Sequence, residues 1–128
     1  GAFRDRDLNT LEGETWFIES LSTNVFTLKA GTYELEAFAP FYNSHYTQLR
    51  LYDNTNSTTV TFGMNHQGGT GFGDVNGPIY SSFTLTESTA FKIQYRTSST
   101  TADYGLGEDS TFSDSISVYT SVKIRKLK

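Results

Sequence analysis

Hydrophobic positions along this chain recur every second residue, most clearly from Asn24 to Ala39. Phe26 and Leu28 alternate with polar neighbours before Gly31. Tyr33, Leu35, Ala37 and Ala39 alternate with Thr32, Glu34 and Glu36 after it. Period two buries one face of a strand and wets the other, so the stretch predicts strands over 25–28 and 31–38, hinged at Gly31. The same pattern predicts a strand over 46–53, with Thr47, Leu49 and Leu51 inward and Tyr46, Gln48, Arg50 and Tyr52 outward. It predicts 58–65 with Val60, Phe62 and Met64 inward, 78–86 with Ile79, Phe83 and Leu85 inward, and 90–97 with Phe91, Ile93 and Tyr95 inward.

The chain opens on a predicted strand over 2–9, with Phe3 and Leu8 buried, and a short one over 15–18. It closes on 115–127, where Ile116, Val118, Val122 and Ile124 share a face. Pro40 and the Asn43-Ser44 pair break the alternation, Asp53 to Asn56 is a turn by composition, and the five glycines within 68–77 predict a loop. A second long loop covers 98–113, with a weak strand near 104–107. No segment shows a 3.6-residue period. Nine or ten short strands at regular spacing predict an all-β antiparallel sandwich.

Composition agrees. Serine and threonine make up about a quarter of the 128 residues, and strong helix formers do not stand in a row. The length suits one domain, 1–128, with enough chain to bury a core. There is no cysteine, hence no disulfide, thiol nucleophile or cysteine-ligated metal. No apolar run approaches the roughly 20 residues of a membrane helix, so no membrane insertion is expected, and no secretion signal opens the chain. A net charge of −4 argues against a nucleic-acid surface.

Candidate chemistry is sparse. The run Gly69 to Gly73 lacks the lysine and helix of a phosphate loop. His45 and His66 are too few for a three-histidine zinc site; a mixed histidine and carboxylate site stays open, with ordinary surface histidines preferred. No nucleophile elbow supports a serine triad. Asp53 to Asn56, and Glu108-Asp109 with Asp114, carry oxygens that suit calcium, but an Asx-turn explains the first cluster as well. No cofactor and no enzymatic activity are expected. Tyr42, His45 and Tyr46 around a turn, with Phe72 and Tyr104 in glycine-rich loops, have the composition of a binding surface. Packing of these rings over the sandwich ends is the equal alternative.

Phe26-Thr27, a short gap and Gly31-x-Tyr33, followed by strands over 48–53, 58–65, 79–85 and 91–96, resemble the globular-head family of the first complement component, which shares its jelly roll with tumour necrosis factor. The chain lacks that family's cysteines and has Val118-Tyr119-Thr120-Ser121 where its animal members carry Phe-Ser-Gly-Phe. The closing Val-Tyr-Thr-Ser-Val-Lys-Ile-Arg-Lys-Leu-Lys, Pro-x-Tyr and Leu-Arg-Leu-Tyr-Asp are more similar to the small C-terminal tip domains of bacteriophage tail fibres.

That resemblance implies a jelly-roll domain ending a longer fibre protein. It further implies a homotrimer, assembled in the bacterial host cytoplasm and carried on the virion, that binds a bacterial surface receptor, expected to be a polysaccharide. A purely structural trimerisation module is the alternative, and a polysaccharide-cleaving enzyme ranks behind it. By the family's topology the receptor faces tip loops at the end away from the termini, near 11–14, 53–57, 87–89 and 108–114, with Asp53, Asn54, Asn56, Glu108, Asp109 and Phe112 as expected contacts. The implied trimer interface holds Tyr46, Arg50, Tyr52 and Tyr119 on one sheet face, composed as interfaces are. Lys123 and Arg125 then stand toward solvent at its end.

Overall fold

Strands that alternate apolar and polar residues must pair to satisfy their backbone and must stack to hide their apolar faces. A computed structural model, describing residues 2–42, 45–67, 73–98, 106, 113 and 119–128 (for 73–77 the backbone alone), resolves this requirement into two antiparallel sheets. Among the described residues ten strands follow in chain order: β1 (Arg4–Asp5), β2 (Ile18–Ser22), β3 (Val25–Leu28), β4 (Gly31–Tyr42), β5 (Tyr46–Asp53), β6 (Thr58–Phe62), β7 (His66–Gln67), β8 (Gly73–Leu85), β9 (Thr89–Thr97) and β10 (Ser121–Lys126). The larger sheet runs β2-β3-β9-β5-β6, with β1 added beside β9 and β7 beside β5. The smaller runs β10-β4-β8. No helix occurs among the described residues, and the all-β sandwich is established.

The core lies between the sheets. Phe26, Leu28, Leu49, Leu51, Phe91 and Ile93 enter it from the larger sheet; Tyr33, Leu35, Ala37, Ala39, Phe41 and Ile79 enter from the smaller. The Phe26 and Phe91 rings stack at 5.7 Å, and Phe83 meets Phe91 across the sheets at 5.2 Å. Gly31 begins β4 at φ 152°, where a Cβ would sit 2.7 Å from Lys126 Cε and 2.9 Å from the Lys128 carbonyl oxygen. Both the dihedral and the close approach of the chain's end require glycine there.

Several elements depart from the pattern. β4 runs through Pro40 to Tyr42, because β10 flanks it only as far as Phe38. Among the described residues β4 has one strand neighbour beyond that point, β8, and a residue without an N–H is accommodated there. β8 begins at Gly73, so the back half of the expected glycine loop is strand. Residues 15–17 form a turn, and β2 follows it.

On β6 the register slips between Leu51 and Tyr52, leaving Val60 as the extra residue of a bulge. Thr61 and Gly63 therefore face inward, and Phe62 and Met64, expected inside, are 52 % and 55 % exposed. The opening strand shrinks to two residues. Phe3 lies half-buried on the outer face of the larger sheet, and Leu8 packs beside the core. The expected inward residues Ile116 and Val118 and the weak strand near 104–107 lie outside the described residues, apart from Leu106, which packs on the core.

Candidate binding cleft

Among the described residues the smaller sheet has three strands and the larger is five strands wide along its main path, so at a strand spacing of about 4.8 Å part of the larger is left uncovered. The uncovered part lies beside β10 and β2, which among the described residues are edge strands of the small and the large sheet. Residues 7–14 cross this opening without forming a strand. A cavity of about 680 Å³ remains, walled by Leu8, Leu11, Phe17, Leu21, Val122 and Ile124 among others. A second, of about 450 Å³, shares Glu12, Glu14, Phe17, Val122 and Ile124 with it and continues past Trp16, Lys123, Arg125 and Lys126 around β10. Together they make one cleft along β10.

Arg6 borders the inner end of the cleft and is 1 % exposed. Its backbone N–H donates to the Ile93 carbonyl at 2.8 Å, so β1's pairing continues for one residue and turns this side chain between the sheets. Nε donates to Thr120 Oγ1 at 2.8 Å, and Nη2 donates to the Pro40 carbonyl at 3.0 Å and the Leu106 carbonyl at 3.3 Å. The guanidinium lies over the Phe41 and Tyr95 rings. Nη1 is buried with no hydrogen-bond partner among the described residues. Burial pulls its pKa down to about 10, partly offset by Tyr95 and Asp7. Arg6 thus joins the large sheet, through β1, to β4 and the start of β10 in the small one.

Trp16 marks the outer end and is 62 % exposed. Its ring stands edge-on to the buried Phe17 ring at 5.6 Å and 87°, and Lys126 Nζ lies 5.5 Å from its centroid. The turn carrying it is closed by Ile18 N–H donating to the Thr15 carbonyl at 2.9 Å, and Lys29 N–H donates to the Phe17 carbonyl at 3.0 Å. The side chains of Glu12, Glu14, Lys123 and Arg125 engage in no hydrogen bond or ion pair among the described residues. Lys123 and Arg125 are exposed, as expected, and stand opposite Glu36 and Glu34 in the β4 register.

The expected contact residues fall in several places. Asp53 is buried; its Oδ1 accepts from the Asn56 N–H at 2.8 Å and its Oδ2 from Asn56 Nδ2 at 2.7 Å. The Asp53 side chain thus caps the turn that follows it, the structural reading of the cluster. The turn is docked onto β9: Asn54 N–H donates to the Ala90 carbonyl, and Ala90 N–H donates to Thr55 Oγ1. Asn54 and Asn56 are exposed. Glu108, Asp109 and Phe112 lie outside the described residues, as do Phe72, Tyr104 and Asp114. No cluster of metal-ligating side chains occurs among the described residues.

Tyr46, Arg50 and Tyr52 do share the outer face of the large sheet, but Tyr119 leads into β10 of the small sheet. The expectation of one patch on one sheet is therefore corrected: within a chain the four residues do not meet on a common face. On the large sheet Arg50 Nε and Nη2 donate to Gln94 Oε1 at 2.8 and 2.6 Å, and Nη1 donates to Thr59 Oγ1 at 3.0 Å. Phe3 covers it, with the Arg50 guanidinium 3.8 Å and that of Arg96 4.7 Å from the ring centroid. The exposed Phe62 and Met64 extend this face.

Register also fixes which loops share an end. Leu28 pairs with Thr89, Asp53 with Phe91, Gly31 with Leu85, and Lys126 with Tyr33. The turns over 54–57 and 86–88, Trp16 and the C-terminal Lys128 consequently gather at one end, and β1, opposite Tyr95 and Gln94, sits toward the other. Of the expected tip loops, those over 53–57 and 87–89 are away from the N-terminal strand but beside the C-terminus, which corrects their expected placement, and 108–114 lies outside the described residues apart from residue 113. Arg6 and Trp16 were not singled out from sequence. Arg6 shares strand parity with Leu8, a signal that was available; Trp16 carries no periodic signal. No family model, curated protein or solved structure matches the chain.

Proposed function

We propose that this domain is a non-enzymatic receptor-binding module, the jelly-roll tip of a trimeric bacteriophage tail fibre that recognises a glycan on the bacterial surface. The fibre setting and the trimer rest on the sequence resemblance. The binding role rests on one observation: the cleft along β10, which offers an exposed indole at the end where the turns gather and four unpaired charged side chains in its walls. Concave sites with a few convergent polar groups are where ligands bind. A shaft entering at the N-terminal strand leaves that end facing outward. Asn54 and Asn56 are the exposed amides of the turn there and remain proposed contacts, with Asp53 holding the turn in shape.

The test has two parts. Sedimentation at micromolar concentration is expected to give a trimer, and a monomer removes the fibre-tip arrangement. The fluorescently labelled chain is expected to decorate cells of at least one strain in a bacterial panel, and to be displaced by that strain's purified surface polysaccharide. A trimer that labels no strain identifies the structural module instead. Shortening of the polysaccharide on incubation identifies the cleaving enzyme.

A further inference from the structure

We infer that the outer end of the cleft is a subsite for an acidic pyranose, with Trp16 as the platform for the sugar ring and the β10 cations as the partners of its carboxylate. The inference rests on the glycan-binding reading and names the sugar class. Three observations carry it. First, Trp16 is exposed yet held: its edge abuts the buried Phe17 ring and Lys126 Nζ lies over it. An exposed aromatic ring fixed in orientation loses little entropy on binding, and the apolar C–H face of a pyranose matches an indole face.

Second, the walls around it hold three cations, Lys123, Arg125 and Lys126, against two carboxylates, Glu12 and Glu14. The chain as a whole carries −4, whereas the lining itself holds one more cation than carboxylate. Glu34 and Glu36 oppose Arg125 and Lys123 from β4 but form no ion pair with them among the described residues. Third, the donors and acceptors divide as an acidic sugar needs. Carboxylates only accept, so Glu12 and Glu14 suit hydroxyl groups; ammonium and guanidinium only donate, so β10 suits a carboxylate. A neutral sugar leaves the cations unanswered.

The chain's single tryptophan makes the test direct. The full chain is titrated with oligomers of galacturonic, glucuronic and N-acetylneuraminic acid, and tryptophan emission is followed. The expected result is a saturable blue shift with reduced acrylamide quenching for at least one of them, and roughly tenfold or weaker binding of its methyl ester. Trp16→Ala is expected to abolish binding by calorimetry. Lys123→Gln with Arg125→Gln is expected to erase the preference for the free acid, with the emission of the unbound chain unchanged. No shift with any of the three, or equal affinity for acid and ester, overturns the assignment. Cell labelling separates this failure from that of the receptor reading. Trp16→Ala that still labels cells removes the subsite and leaves the receptor role; wild type that labels no strain but binds the acid does the reverse.

Discussion

On the outer face of the large sheet, Arg50, Arg96, Lys92 and Asp5 all meet partners within the molecule; in the cleft beside β10, Lys123, Arg125, Glu12 and Glu14 meet none among the described residues. On the sheet face Gln94 links Arg50 to Asp5, which also takes Lys92 Nζ at 2.9 Å, while Arg96 is tied through Gln48 to Asn65. These four charges are answered, and Phe3 covers the centre. Arg6 extends the same N-terminal clasp into the core, where neutral acceptors hold three of its bonds. A charged surface that satisfies itself is structure. One that stays unanswered in a concavity is available to a ligand.

The largest effect that sharpens this contrast is on the clasp. Arg6→Ala leaves a hole between the sheets and orphans Thr120, Pro40 and Leu106 as acceptors. Cavity and lost hydrogen bonds are worth about 3–6 kcal/mol together. Relief of the buried charge returns part of that, since a fall in pKa to about 10 from 12.5 corresponds to roughly 3 kcal/mol. We expect a net loss of up to about 3 kcal/mol by urea denaturation, and a smaller one, under about 1.5 kcal/mol, for Arg6→Met, which fills the space without the charge. Equal losses for both would show that the hydrogen bonds, not packing, hold the clasp.

Next in size, Arg50→Ala removes three hydrogen bonds and the contact under Phe3, and is expected to cost about 1–2 kcal/mol. If Tyr46, Arg50 and Tyr52 form the trimer contact, the same change also weakens association. Lower stability of the subunit with undiminished trimer confines Arg50 to the fold.

The difference between the two regions also marks what the sequence could and could not disclose. β5 was legible to the residue, because Thr47, Leu49 and Leu51 alternate without interruption between two turns. The bulge at Val60 was not: a one-residue slip reverses every later side chain, and nothing in Thr58-Thr59-Val60-Thr61-Phe62 announces it. Phe3 and Leu8 stand five apart, an odd interval, so they never could share a face of an unbroken strand, and Arg6 shares parity with Leu8. The turn at Asp53 was legible as chemistry, since its side chain closes on a residue three along. The cleft was not, because it arises from the unequal widths of two sheets, a property of strand order rather than of any segment.

A smaller effect follows from acid. Burial alone would raise the pKa of Asp5, but hydrogen bonds from Gln94 and Lys92 and the Lys92 charge outweigh it and lower the value below 3.8. A carboxylate with a depressed folded pKa contributes stability that is present above its unfolded pKa and lost as pH falls through the folded one. Asp5→Asn is therefore expected to be less stable than wild type at pH 6, by about 1 kcal/mol or less for a partly exposed pair. The gap should narrow in urea titrations as pH falls through the lowered folded pKa. A gap that persists unchanged at pH 2.5 would assign the effect to packing.

The smallest stability change is expected in the cleft, and its smallness is informative. Lys123→Gln and Arg125→Gln remove charges that no side chain answers beyond the register neighbours Glu36 and Glu34, so each should shift the urea midpoint by no more than about 0.5 kcal/mol. Trp16→Ala, with most of its ring in solvent, belongs in the same range apart from its edge contact with Phe17. Residues that do little for the fold and yet line a concavity are the ones whose loss should register in binding alone. A cost above about 1.5 kcal/mol for Lys123 or Arg125 would break the contrast, because it would mean these charges are already engaged and the cleft is closed to an acidic ligand.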